Sequence, residues 1–341
     1  MIKIDPIGYE GLTVSHAVDE ESGFESVIAT ATDNKKLLVE VRFQPFTSKN
    51  QQIDVTTKYA KAIDKKFRYA GLNYDSGIIT INTESYKSKL SAINKFIEFI
   101  SNQYKDQITL YTTQELDYEF QHHLTQNCPQ LFNIDYETYV KAQSKGVFYS
   151  VRALQQFLYS SKSLQHKHVV VKGLDKIGSE VARLVDKNKA NLTVCDVEQE
   201  KINDLYASAY FGTCKTEEAH KVPSDLLVLC DGYDYLDKSV TMETKALNVI
   251  AVSDSQLASN KAGYNMHTRK IIYVPDYVAG AGGVIMIAKY LEDSKKSLEK
   301  ELDKIFTRTL SLLNHSSKLR KPPFIVAEQQ LQEKHKKAKS Q

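Results

Sequence analysis

The stretch VVVKGLDKIGSEVARLV, Val169 to Val185, with LTVC and Asp196 after it, decides how this chain is read. An apolar run meets a glycine turn, Gly173-Leu174-Asp175-Lys176-Ile177-Gly178, and then an amphipathic helix, the order of a βαβ unit. In a dinucleotide-binding unit the first glycine makes the tight turn, the second lets backbone approach pyrophosphate, and the third packs helix on strand. A later acid binds the ribose hydroxyls. Gly173 and Gly178 hold the first and third places, and Asp196 lies 23 residues after Gly173. The second place is Asp175, whose carboxylate would sit beside the diphosphate. At about 4 Å and an effective dielectric of about 20 that repulsion is roughly 4 kcal/mol. The alternative is a helix N-cap, with Asp175 taking the amides a phosphate would receive unless it swings aside or Lys176 compensates. Asp196 favours NAD over NADP if it meets a cofactor; otherwise it is a strand-end acid capping the helix from Glu198 to Ala207.

Outward from this unit, VVV at Val169, LTVC at Leu192, LLVLC at Leu226, VIAV at Val249 and IIYV at Ile271 alternate with helical segments. That rhythm predicts a doubly wound parallel sheet. Beyond AGAGG, Ala279 to Gly283, Leu291, Leu298, Ile305 and Leu312 recur every seven residues, as in one long helix capable of spanning both domains. The first third is a second α/β unit. Its strands are expected at Ser26 to Thr32, Lys36 to Phe43 and Gln107 to Thr112, and its helices at Val55 to Tyr69 and Tyr86 to Gln103. The second helix would bury Leu90, Ile93, Ile97 and Ile100. A helix from Tyr139 to Ser160 leads out of it. Domain boundaries are expected near residue 145 and, for a C-terminal helical return and basic tail, near residue 310. A cleft between the domains is the default ligand site.

Composition limits the chemistry. The 341 residues suit about two domains, and 42% hydrophobic with 26% charged residues is the balance of a soluble globular chain. No apolar run is long enough to cross a bilayer and no leader pattern opens the chain, so a cytoplasmic protein is expected. A net charge of +3 excludes an extended nucleic-acid-binding surface, and the run Lys334 to Lys339 reads as a frayed tail. Cys128, Cys195, Cys214 and Cys230 lack metal-ligand spacing and read as buried thiols, with no metal site. The 14 glycines, about 4% against a usual value near 7%, leave few glycine-lined loops.

The segment IYVPDYVAGAGGVI, Ile272 to Ile285, resembles the close of the nucleotide domain in the glutamate/leucine/phenylalanine/valine dehydrogenases. AGLN at Ala70, ITLYTTQELDYEF near Ile108, KGVFYSVRAL at Lys145, VVVKGLDKIG, SDLLVLC and KPPFIVAEQ follow in family order. The resemblance implies a two-domain α/β fold, with an N-terminal substrate and oligomerisation domain, a Rossmann-type domain for NAD(P), and a homo-oligomer acting on amino acids. The cofactor contacts it implies fall at Gly173, Asp175, Lys176, Ile177, Gly178, Asp196, Cys230 and Gly280. Lys66 matches the lysine that holds the substrate carboxylate, although it also lies in a basic helical patch with Lys61, Lys65 and Arg68, where a solvated lysine is common.

The remaining family positions depart. The base lysine falls at Ile78, the catalytic aspartate at Thr112, the paired glycines near Val39 and Glu40, the ribose-contacting threonine at Gln143, and the late asparagine at Gly280. Isoleucine accepts no proton. The chain therefore reads as a non-catalytic or regulatory homologue that binds a small molecule or amino acid. The alternative is a working NAD-dependent oxidoreductase on a CH–NH2 substrate, with Asp75, His122, His123 or Lys66 as replacement groups. A third reading has the cleft filled by its own side chains.

Overall fold

The computed structural model describes residues 1–31, 36–104 and 107–339, without the side chains of residues 296 and 334–339. The chain divides into two compact units, residues 1–67 with 71–136, and residues 68–70 with 137–341. Both are α/β, as the sequence implied.

The first unit runs β1 (Lys3–Ile7), β2 (Thr13–Asp19), β3 (Phe24–Ala31), β4 (Leu37–Gln44), α1 (Lys49–Ala70), β5 (Asp75–Asn82), α2 (Lys89–Gln103), β6 (Ile108–Tyr111) and α3 (Tyr118–Asn127). Its sheet has the order β1-β2-β3-β5-β4-β6. The meander from β1 to β3 is antiparallel and continues antiparallel onto β5. β4 lies parallel to both β5 and β6, because α1 and α2 supply the crossovers that parallel strands require. All eight residues of β5 are buried.

The buried face of α2 is rotated from the expected one. Ala92, Ile93, Phe96, Phe99 and Ile100 are buried, whereas Leu90 is 56% exposed. The aromatic rings decide this. Phe96 and Phe99 stand 6.5 and 6.1 Å from Phe24, and Phe43 meets Phe120 edge-on at 4.7 Å. Such pairs contribute about 0.5–1.5 kcal/mol each beyond burial, which favours turning the phenylalanines inward.

The second unit runs α4 (Tyr136–Tyr159), β7 (His168–Lys172), α5 (Lys176–Lys187), β8 (Asn191–Cys195), α6 (Gln199–Leu205), β9 (Gly212–Thr213), β10 (Leu226–Leu229), α7 (Lys238–Glu243), β11 (Asn248–Ala251) and α8 (Asn260–Thr268). It ends with β12 (Ile272–Val274), α9 (Asp276–Ala279), α10 (Gly282–Leu291), α11 (Leu298–Leu319) and α12 (Pro323–Lys339). The sheet order is β12-β11-β10-β7-β8-β9, and every pair is parallel. This is the doubly wound arrangement. Its strand order reverses between β7 and β10, so their carboxyl ends stand side by side at the point where such sheets bind ligands.

Several expectations change. The sevenfold apolar repeat is not one helix: α10 stops at Leu291 and α11 starts at Leu298, with a 3-10 turn at Lys295–Ser297 before it. The boundaries placed at 145 and 310 fall inside α4 and α11, and the units divide at the start of α4 instead. The tail continues α12 to Lys339 rather than fraying; the side chains of its basic run lie outside the described residues. Three thiols are buried, but Cys214 is only half-buried.

Candidate functional site

In the second unit, β7 ends at Lys172 and the chain turns through Gly173, which has φ +89°. A Cβ there would lie 2.4 Å from the Asp231 side chain, and one on Gly178 would lie 1.9 Å from the Gly173 carbonyl oxygen. Both positions therefore exclude any side chain. The shape of a dinucleotide turn is kept, but its amides are engaged from within. Asp175 is the N-cap of α5, its carboxylate accepting from the Gly178 amide at 2.7 Å. Asp196 accepts from the Leu174 amide at 2.6 Å and from the Glu198 amide at 2.9 Å. The Cys195 carbonyl accepts from the Gly173 amide at 2.9 Å.

Desolvation by the surrounding turn pushes the Asp175 carboxyl above the usual carboxylate range, with the Gly178 amide and Lys201 pulling it back. Its surface still meets water, which damps that push. Lys176, named in the sequence reading as a compensating cation, is exposed, and Lys201 on α6 acts on Asp175. Ile177 presents its carbonyl to the Ser144 hydroxyl at 3.2 Å. Cys230 is 4% exposed, and burial raises its thiol well above the ordinary value.

The carboxyl ends of β7 and β10 carry an ion pair that the sequence reading missed. Lys172 reaches Asp231 at 2.6 Å and lies 4.5 Å over the Tyr235 ring, with its side chain 7% exposed. The signal was a lysine closing VVVK and an aspartate closing LVLCD, but only the pairing of Leu229 with Lys172 brings them together.

The AGAGG segment packs helices. A Cβ on Gly282 would meet the Ala142 carbonyl oxygen at 2.2 Å, and one on Gly283 the Tyr139 ring at 2.2 Å. Gln143, at the place of the ribose-contacting threonine, is buried and accepts from the Gly283 amide at 2.8 Å, satisfying an open donor at the start of α10. Gly280 likewise lacks room for a side chain, with the Val252 carbonyl 2.7 Å from where its Cβ would stand.

In the first unit, Lys66 is buried, 7% exposed, so the solvated-patch reading fails for it. Ile78 is 0% exposed and sits in β5 between Ala29 and Glu40 on the flanking strands. The residues expected as a broken glycine loop are thus the interior of a strand. Thr112 is half-buried and accepts from the Gln114 amide at 3.3 Å. Beside it stands a second group that the sequence did not reveal. Glu40, 4% exposed, accepts from Arg42 at 2.8 Å and from the Thr113 hydroxyl at 2.6 Å, and Arg42 lies 4.4 Å over the Tyr59 ring. This network is satisfied internally. Val39 is buried, as is Asp75 at 6% exposure. His122 is exposed and stacks on Tyr118, and His123 bonds Asn94 at 2.8 Å, so both face the surface of α3. Among the described residues no group of three or more His, Cys, Asp and Glu is placed to hold a metal.

No family model matches the chain. A leucine dehydrogenase from Geobacillus stearothermophilus is 23% identical over 335 residues, covering 96% of this chain and 91% of that protein. Phenylalanine and valine dehydrogenases also match. Over most of its length the chain is thus similar, at low identity, to amino-acid dehydrogenases. Among solved structures, the L-tryptophan dehydrogenase of Nostoc punctiforme superposes with a TM-score of 0.77 at 16% identity, over 97% of this chain and 98% of that one. A hetero-hexameric glutamate dehydrogenase from Thermus thermophilus, in its Leu-bound form, gives 0.70 at 15% identity over 98% and 88%. These share the fold of the chain, in which α10 packs on α4 through Gly282 and Gly283. No helix among the described residues is long and apolar enough to cross a membrane.

Proposed function

We propose that this chain is a catalytically degenerate amino-acid dehydrogenase homologue that binds a small carboxylate-bearing molecule and does not deaminate it. The observation that carries the reading is Ile78: at the place the family resemblance gives to the base lysine stands a side chain with no exposed surface, inside a strand. Lys66 is the residue assigned to the ligand carboxylate, its burial being what a charge-recognising lysine needs.

The residues of the glycine turn do not fit a diphosphate in the family's manner. Leu174 and Gly178 already donate to Asp196 and Asp175, and Asp175 brings a like charge to the approach. NAD is therefore assigned weak binding or none, at Gly173, Asp175, Lys176, Ile177, Gly178, Asp196, Cys230 and Gly280. The chain is further read as a self-associating cytoplasmic protein without a metal. A second reading, an active NAD-dependent oxidoreductase with altered acid-base groups, draws on the burial of Lys66 and Asp75 in one unit.

Titration with NADH, followed by nicotinamide fluorescence, tests the cofactor side. The natural protein is expected to show no saturation in the micromolar range, while Asp175→Gly binds at least tenfold more tightly. Micromolar binding by the natural protein overturns the assignment and returns the oxidoreductase reading to first place.

A further inference from the structure

Two thiols outside the family's site come together at the edge of the second sheet. Cys195 closes β8, and Cys214 follows the two residues of β9. The parallel register pairs Thr193 with Gly212 and Val194 with Thr213, and the Cys214 amide donates to the Val194 carbonyl at 3.2 Å, so Cys195 and Cys214 are next in line. Both pack into the same apolar cluster, which puts their side chains on one face of the sheet. Neighbouring strands lie about 4.8 Å apart, inside the Cα separation of about 4.4–6.8 Å that a disulfide needs.

We propose that Cys195 and Cys214 form a reversible dithiol–disulfide site whose state is felt in the glycine turn. Cys195 is fully buried and Cys214 half-buried, which makes Cys214 the attacking thiol and Cys195 the resolving one. The Cys195 thiol donates to the Val171 carbonyl at 3.9 Å. The proximity of the two thiols lowers the pKa of Cys214 and raises that of Cys195, as those roles require. β9 is a two-residue edge strand with both residues exposed, so it can shift to let the sulfurs bond.

The chemistry is thiol–disulfide exchange with an oxidised low-molecular-weight disulfide. The Cys214 thiolate attacks one sulfur, breaking the reagent's S–S bond and releasing one thiolate. Cys195 then gives its proton to solvent and attacks the Cys214 sulfur of the mixed disulfide, releasing the second thiolate. The protein loses two electrons and two protons, and the reagent gains them as two thiols. Coupling to the turn is short-range. The Cys195 carbonyl holds the Gly173 amide at 2.9 Å, and the next residue, Asp196, holds the Leu174 amide at 2.6 Å. None of this depends on whether NAD binds.

The test is to incubate the full chain with oxidised glutathione, alkylate, and map the peptides by mass spectrometry. The expected result is a Cys195–Cys214 cross-link, with both thiols recovered by dithiothreitol and Cys128 and Cys230 unmodified. Cys195→Ser should trap glutathione on Cys214, and Cys214→Ser should leave Cys195 unreacted. A stable glutathione adduct on Cys214 of the natural protein, with Cys195 still free, overturns the site. So does retention of all four thiols. Hydrogen exchange at Gly173 and Leu174 is expected to change at least threefold on oxidation, and unchanged exchange overturns the coupling.

Discussion

The glycine turn of the second unit and strand β5 of the first, both read as departing from the pattern the resemblance implies, differ physically. In the turn the scaffold is intact: Gly173 and Gly178 remain because a Cβ at either would strike backbone or Asp231. What has changed is one carboxylate, Asp175, that fills its own anion site. In β5 the change runs through the architecture. Asp75 to Asn82 forms eight buried positions, paired with β3 on one side and β4 on the other. On the proposed reading, a function blocked by self-capping is one substitution from return. One blocked by a buried strand residue is not, because every neighbour packs against that residue.

Placing at position 78 the lysine that the resemblance implies sharpens this contrast most. Ile78→Lys places an ammonium at a position with no exposed surface, between Ala29 and Glu40. Denaturant unfolding is expected to show a loss of about 3 kcal/mol or more, with no gain of deaminase activity. A stable, active variant would show that β5 retains a usable site. Gly178→Ala probes the other region. Its methyl would meet the Gly173 carbonyl oxygen at 1.9 Å, so the turn must open, and a loss of about 1–3 kcal/mol is expected. An unchanged midpoint would mean that the turn has slack and that its glycines are not sterically fixed.

The smallest effect concerns pH. Glu25 accepts from His16 at 3.0 Å and from Asn82, the last residue of β5, at 2.9 Å. The His16 bond is the main reason that its carboxyl lies below the ordinary value of 4.5. Its folded pKa is depressed, so the stabilisation is present above the unfolded pKa and is lost as pH falls through the folded one. Glu25→Gln should therefore flatten the fall in melting temperature below about pH 5. A variant that keeps the natural acid slope would remove Glu25 from the acid response.

The second unit was the more legible in sequence because its strands are buried on both faces, and VVV, LLVL and NVIA stand out as apolar runs. Asp175 was readable as a cap because capping acts over two or three residues. Asp196, expected to cap the next helix, instead holds the Leu174 and Glu198 amides, and Glu198 is the N-cap of α6. Lys172 with Asp231, 59 residues apart, was not readable, since their contact exists only once β10 pairs with β7. In the first unit, β1 is an exposed edge strand, KIDPI, and β2, TVSHAVD, mixes polar with apolar residues, so neither carried an apolar run. β5 was hidden for a different reason. The family resemblance drew attention to a missing loop at Asp75 to Ile78, while IITIN beside it already had the β-branched content of a strand. Glu40 was noted only as a replaced glycine, and its bonds to Arg42 and Thr113 depend on β4 lying against β6. The helical repeat misled because its spacing continues across the interruption between Leu291 and Leu298, where the backbone does not.

The most direct test of catalytic degeneracy is NAD reduction by the purified full chain, with leucine, valine, phenylalanine, tryptophan and glutamate each supplied at saturating concentration. The expected result is no NADH formation above the protein-free rate with any of them. Sustained turnover in proportion to protein concentration, abolished by Lys66→Ala, would contradict it and establish a working dehydrogenase with a different base.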